Sequence, residues 1–179
     1  MSPAEVCTLA QNLAKNCRYS VFPVRLDKRP ATPKGTADAP GGLYYASNDL
    51  ARVAELWRRW PGPLVGIRTG ETSGVDVLDI DAEGLAWWQA ARPHIPPTRT
   101  YATRSGGLHV YFQHVRGVRN TAGKLAKNVD TRGCGGYIVY WFSAGLECLD
   151  HSPVAPWPGK LLELVLCVAT HNNKRPDAQ

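Results

Sequence analysis

The stretch Gly74-Val75-Asp76-Val77-Leu78-Asp79-Ile80-Asp81 constrains this chain more than any other. Branched apolar residues alternate with other types and glycines bracket the region, which predicts a strand. Strand side chains alternate between faces, so Val75, Val77, Asp79 and Asp81 share one face and Asp76, Leu78 and Ile80 the other. Two carboxylates at i and i+2 then project side by side, roughly 6.5–7 Å apart at their Cβ atoms. On so apolar a strand they repel and lose hydration unless a cation neutralises them. Oxygen-only ligands suit Mg²⁺ or Mn²⁺, and a pair of such ions suits phosphoryl or nucleotidyl transfer. The plainer alternative is that both acids end the strand and turn into the loop at Ala82-Glu83-Gly84.

A chain of 179 residues with 44% hydrophobic and 20% charged residues fits one compact domain with a real core. Lys and Arg total 21 against 15 for Asp and Glu, and the resulting +6 suits a polyanionic partner without requiring one. No basic-then-apolar leader and no membrane-length apolar run is present, so a cytoplasmic protein is expected. Cys7, Cys17, Cys134, Cys148 and Cys167 form no C-x-x-C pair, which predicts reduced, mostly packing thiols and no zinc site.

The start reads as a helix: Ser2 caps, Pro3 suits the first position, Glu5 completes a capping box, and Val6, Leu9, Ala10, Leu13 and Ala14 share a face. A short strand from Tyr19 to Val24 follows, with Pro23 pointing to an edge position. Leu26 to Gly42 is loop, in which Lys28 and Arg29 are either a solvated pair or face a phosphate. A second helix is expected from Asn48 to about Trp60, capped by Ser47. Then come a strand from Leu64 to Ile67, the acidic strand, and a helix from Glu83 to Ala91 carrying Trp87 and Trp88. One tryptophan is expected in the core and the other on the helix flank. Thr100 to Arg104 and Leu108 to His114 form a hairpin, Val129-Asp130 and Tyr137 to Phe142 are further strands, and a helix from Leu161 to Thr170 closes the chain.

Two further pieces carry chemistry. In Thr103-Arg104-Ser105-Gly106-Gly107-Leu108-His109, the glycines let backbone N–H groups approach an anion, with Arg104 and His109 beside it. The alternative is a plain hairpin turn with a histidine on the sheet surface. Asp130, followed by Arg132, is either a turn residue bonding its own backbone or the third carboxylate of a two-metal centre. Arg119 and Lys124, in the basic loop upstream, either meet a phosphate or are solvated. Gly123-Lys124 has the wrong spacing for a Walker loop, no G-x-G-x-x-G follows a strand, and the histidines show no ligand spacing.

The order Asp79-Ile80-Asp81, Ser105-Gly106-Gly107-Leu108-His109, Asn128-Val129-Asp130-Thr131-Arg132-Gly133 and Gly135-Gly136-Tyr137-Ile138-Val139 resembles the bifunctional primase/polymerase domain of the archaeo-eukaryotic primase superfamily. Phe22-Pro23 with Lys28 and Pro30, and Trp60-Pro61 leading to Gly66-Ile67-Arg68-Thr69-Gly70, are similar to it as well, so the likeness spans residues 19 to 142. The resemblance implies an α+β fold: an RRM-like antiparallel sheet with flanking helices (71–170) joined to an N-terminal α/β unit (1–70), with the site between them; the polar C-terminal residues read as a frayed tail at 171–179. It implies Asp79, Asp81 and Asp130 as carboxylates for two divalent ions, Mg²⁺ or Mn²⁺. His109 with Ser105, Gly106 and Gly107 would hold the incoming nucleotide's phosphates, and Arg104, Lys124 and Arg132 the triphosphate or template.

The activity so implied is template-directed DNA primase/polymerase chemistry on single-stranded or primed DNA from dNTP or NTP, with a helicase domain or protein as an expected partner. The rivals are an inactive single-strand-binding module and a two-metal nuclease. Two positions depart from the family pattern: Cys134, where an acid is common, and Tyr140-Trp141-Phe142-Ser143, where Ala-Pro-Pro-Ser is usual.

Overall fold

A computed structural model describes residues 1–171 apart from 38, 122 and 124, and apart from the side chains of 169–171. The frayed tail expected at the C-terminus therefore lies outside the described residues from 172 onward, as does Lys124. Helix α1 (Pro3–Cys17) starts as its sequence dictates: Glu5 N–H donates to Ser2 Oγ, and Ser2 N–H donates back to the Glu5 carboxylate at 2.6 Å. Helix α2 (Leu50–Arg59) starts later than expected and takes Asp49, not Ser47, as its cap. Asp49 Oδ1 accepts from Arg52 N–H at 2.8 Å, while Ser47 is drawn into a backbone bridge with Val21.

Strands β1 (Val21–Val24), β2 (Leu64–Arg68) and β7 (Tyr137–Tyr140) form an antiparallel sheet in the order β1-β2-β7. Pro23 lies on its edge strand, where a missing N–H costs no ladder bond. The second sheet has the order β6-β3-β5-β4-β8, also antiparallel: β6 (Val129–Arg132), β3 (Val75–Ile80), β5 (Leu108–Gln113), β4 (Thr100–Ala102) and β8 (Cys148–Asp150). The fold is thus mixed α+β, with helices flanking two antiparallel sheets. Strand β7 is the far-sequence partner of the small sheet, so the chain returns to its N-terminal strands after four strands of the large sheet and then adds β8 to that sheet's edge.

The alternation read in β3 decides the layering. Val75 and Val77 join Tyr101 and Tyr111 in a core shared with α1, α2 and the small sheet. Leu78 and Ile80 face the other way, into a core with Val110, Phe112, Trp157 and Val165 of α4 (Gly159–His171). Phe112 and Trp157 stack there at 4.2 Å between ring centroids. Burying apolar side chains on both faces of β3 contributes roughly 1.5–3 kcal/mol for each large one, which makes the central strand a rigid platform for its acids.

The helix expected over Glu83–Ala91 divides into a 3-10 turn at Ala82–Gly84 and α3 (Leu85–Ala91). Gly84 sits so close to the Asn128 carbonyl that a Cβ would come within 2.5 Å of it, so the chain is pinned before α3 can begin. Trp88 is buried and Trp87 half-buried, as the helical spacing predicted. Strand β7 stops at Tyr140, and Trp141–Ala144 turns as a 3-10 helix. Strand β8 escaped the sequence reading because it has only three residues and its central one, Leu149, is apolar yet exposed. No described helix is long and apolar enough to cross a membrane.

Candidate functional site

Register brings the predicted residues together. Asp79 on β3 lies directly across from His109 on β5 and from Asp130 on β6, so the three side chains form one row across adjacent strands. Asp81 follows the last residue of β3, exposed, as the cap of the Ala82–Gly84 turn. Asp79 and Asp81 line one cavity of about 350 Å³, together with Ser105, His109 and Arg132. Asp130 and Arg104 are not among its lining residues.

The row is held by ionic contacts. Arg132, two residues beyond Asp130 on β6, donates to Asp79 Oδ2 from Nε at 3.0 Å and from Nη2 at 2.9 Å. The same Nη2 lies 3.7 Å from Asp130 Oδ2, and His109 Nε2 lies 3.3 Å from Asp79 Oδ1. Burial on its own would raise the Asp79 carboxyl, but the His109 contact and the Arg132 charge hold it down to about 2. Asp130 Oδ1 accepts from Gly123 N–H and from Thr121 Oγ1, so this acid also anchors the basic loop.

Asp79 is therefore ionised and guanidinium-paired, while Asp81 stands exposed beside it in the same cavity. Hard oxygen donors of this kind suit Mg²⁺ or Mn²⁺ in their chemistry. Among the described residues, no group of three or more His, Cys, Asp or Glu side chains is arranged as a metal site. Asp130 is kept apart from a shared ion by Arg132, which takes the position between the two carboxylates. Both oxygens of Asp79 are engaged, Oδ2 by Arg132 and Oδ1 by His109, so Asp79 or Asp130 would meet an ion beside Asp81 only after the guanidinium moves.

The Ser-Gly-Gly turn is built differently from the anion cradle that its glycines suggested. Gly106 N–H donates to the Thr103 carbonyl at 3.0 Å and Gly107 N–H to Thr103 Oγ1 at 3.0 Å, so both glycine amides are used within the turn. What it offers the cavity is the hydroxyl pair Thr103 and Ser105, whose oxygens lie 3.3 Å apart. Gly106 has φ +81°, a left-handed position that suits glycine, whereas Gly107 is needed for closeness. A Cβ on Gly107 would lie 2.0 Å from the Ile80 carbonyl oxygen, so its absence lets the turn press on the end of the acidic strand.

Arg104 turns away, donating to the Leu26 carbonyl at 3.1 Å with its guanidinium 4.9 Å from the Trp141 ring centroid. Lys28 Nζ lies 5.7 Å from the same ring, and both Lys28 and Trp141 line the cavity. Trp141, Thr103 and Asn120 were missed as site residues. Asn120 Oδ1 accepts from Gly133 N–H at 3.1 Å, and a Cβ on Gly136 would meet it, so the Gly-rich turn before β7 was the available signal.

The sequence model of the bifunctional DNA primase/polymerase N-terminal domain family matches residues 10–159. No curated protein sequence matches the chain.

Proposed function

Since the chain belongs to the bifunctional DNA primase/polymerase family, whose substrates are DNA and nucleotides, we propose that the cavity at the end of β3 performs template-directed nucleotidyl transfer from nucleoside triphosphates to a DNA strand. The observation that carries this reading is the sharing of one cavity by Asp79, Asp81, the Thr103–Ser105 hydroxyls, His109 and Arg132. Divalent ions held by Asp79 and Asp81, with Asp130, would lower the pKa of the attacking 3′-hydroxyl and offset charge on the triphosphate.

The chain's own groups do the positioning. Ser105 and Thr103 hydroxyls donate to phosphate oxygens, and the rigid hairpin keeps them fixed against the acidic strand. His109, buried and braced on Asp79, is the adjoining imidazole donor for the same phosphates. Arg132 neutralises Asp79 and Asp130 in the free protein and transfers its charge to the triphosphate when the carboxylates take up an ion. Lys28, on the opposite wall, adds a second cation for the phosphates or the template backbone.

The test is incubation with unprimed and with primed single-stranded DNA, labelled nucleotides and Mg²⁺ or Mn²⁺. Labelled product that requires template supports the proposal, and product on unprimed DNA adds strand initiation. Release of nucleotides from DNA without triphosphate would identify a nuclease, and DNA binding with neither reaction would identify a binding module.

A further inference from the structure

A second constellation of reactive side chains lies near the opposite end of β3 from Asp81. Asp76 is on the apolar face with Leu78 and Ile80, and its side chain is 0% exposed. An aspartate in that position loses its hydration and needs a complete set of donors. It has them: Oδ2 accepts from Val115 N–H at 3.0 Å and from Trp157 Nε1 at 3.4 Å, and Oδ1 lies 2.8 Å from His114 Nδ1. The tautomer that turns Nδ1–H to the carboxylate carries its lone pair on Nε2, and that atom lies 3.8 Å from Cys134 Sγ.

A thiol, an imidazole and a buried carboxylate in series have the layout of an activated nucleophile: a base beside the attacking atom and a third group fixing the base. The thiol is also rigidly presented. Cys134 N–H donates to the Val118 carbonyl at 3.0 Å, and Gly70 packs so tightly that a Cβ there would come within 2.7 Å of the Cys134 backbone. Cys134 is only half-buried and the His114 side chain is 13% exposed, so the pair is not sealed in the core.

We propose that Cys134 is a nucleophilic thiol, with His114 as its base and Asp76 as the residue positioning that base, and that it forms mixed disulfides with low-molecular-weight disulfides. His114 Nε2 takes the thiol proton as Cys134 Sγ attacks one sulfur of the small disulfide. The new S–S bond forms, the old one breaks, and the departing thiolate takes the proton from His114. Cys134 is oxidised to the mixed disulfide while the released half of the reagent is reduced to a thiol. This site shares no side chain with the proposed polymerase centre and stands whether or not that reading is correct.

The test uses the full chain with limiting iodoacetamide, and separately with oxidised glutathione, and follows modification at each cysteine by peptide mass spectrometry. N-acetylcysteine under the same conditions is the reference. Cys134 is expected to react at least about tenfold faster than the reference, since a positioned base supplies that much or more. His114→Gln keeps an amide donor for Asp76 but removes the base, and Cys134 should then react more slowly than N-acetylcysteine, as a half-buried thiol does. A wild-type rate at or below the reference overturns the proposal, and so does a His114→Gln protein that keeps the fast rate. Asp76→Asn risks unfolding, so the wild-type and His114→Gln measurements carry the decision.

Discussion

Replacing Asp79 and Asp81 separately by Asn should divide two effects that usually travel together. The Asp79 side chain is 19% exposed and bonded to Arg132 and His109, whereas Asp81 is exposed at the strand end. The gap between an ordinary carboxyl at 3.8 and Asp79 at about 2 corresponds to roughly 2 kcal/mol in favour of the folded, charged form. Because the folded value is the depressed one, this stabilisation is present above the unfolded value and is lost as pH falls through about 2. Asp79→Asn leaves the Arg132 guanidinium short of its main counter-charge, so urea unfolding followed by tryptophan fluorescence should show a loss of about 1–2 kcal/mol at pH 7. The difference between variant and parent should shrink as pH falls below about 4, since the unfolded parent then takes up the proton that folded Asp79 resists until about 2. Asp81→Asn should unfold within about 0.5 kcal/mol of the parent. Both variants should lose nucleotide incorporation. An Asp79→Asn protein as stable as the parent at pH 7, or an equally destabilised Asp81→Asn, would refute the assignment of Asp79 as the ionic anchor and Asp81 as the free ligand.

Gly107→Ala should cost about 1–3 kcal/mol and weaken nucleotide binding, because its Cβ would push the hairpin off the Ile80 carbonyl. Gly106→Ala meets only an ordinary contact with Ala82 Cβ at 3.8 Å and the left-handed φ penalty, about 1 kcal/mol, so urea melts should rank Gly107→Ala as the more damaging; the reverse order would contradict the close approach of Gly107 to Ile80. Trp141→Leu removes the ring beneath Arg104 and Lys28, and fluorescence titration should show a several-fold weaker affinity for nucleoside triphosphate with the fold kept. Unchanged affinity would show that the two cations act without the ring. Trp157→Phe keeps the stack on Phe112 but deprives Asp76 of a donor, and thermal melts should register a loss of about 1–3 kcal/mol.

Local patterning made the frame of the site legible. The alternation in Val75–Asp81 placed Asp79 on its face and Ser105-Gly106-Gly107 marked the hairpin, while His109 was joined to the acids only by the family resemblance and meets Asp79 through the β3–β5 register. These features depend on neighbours in sequence, where period and turn chemistry act directly. What escaped depends on pairing between distant segments. Nothing near Arg132 announces that its guanidinium meets Asp79, because that contact follows from the β3–β6 register. The Thr103 hydroxyl takes the amide that the glycines were expected to offer an anion, a competition visible only once the turn is closed. The alternation set Asp76 on the face of Leu78 and Ile80, but nothing nearby announces its partners His114 and Trp157, which come from remote loops. Five cysteines without a C-x-x-C pair suggested mostly packing thiols, and only the folded chain sets one of them beside a carboxylate-bound imidazole.

The most direct check on the central claim is anomalous diffraction from crystals grown with Mn²⁺ and a non-hydrolysable nucleoside triphosphate. The account predicts manganese density bonded to Asp79 and Asp81, Arg132 withdrawn from Asp79, and the triphosphate against Thr103 and Ser105. Manganese and triphosphate bound together elsewhere on the chain, with the Arg132–Asp79 pair intact, would contradict it.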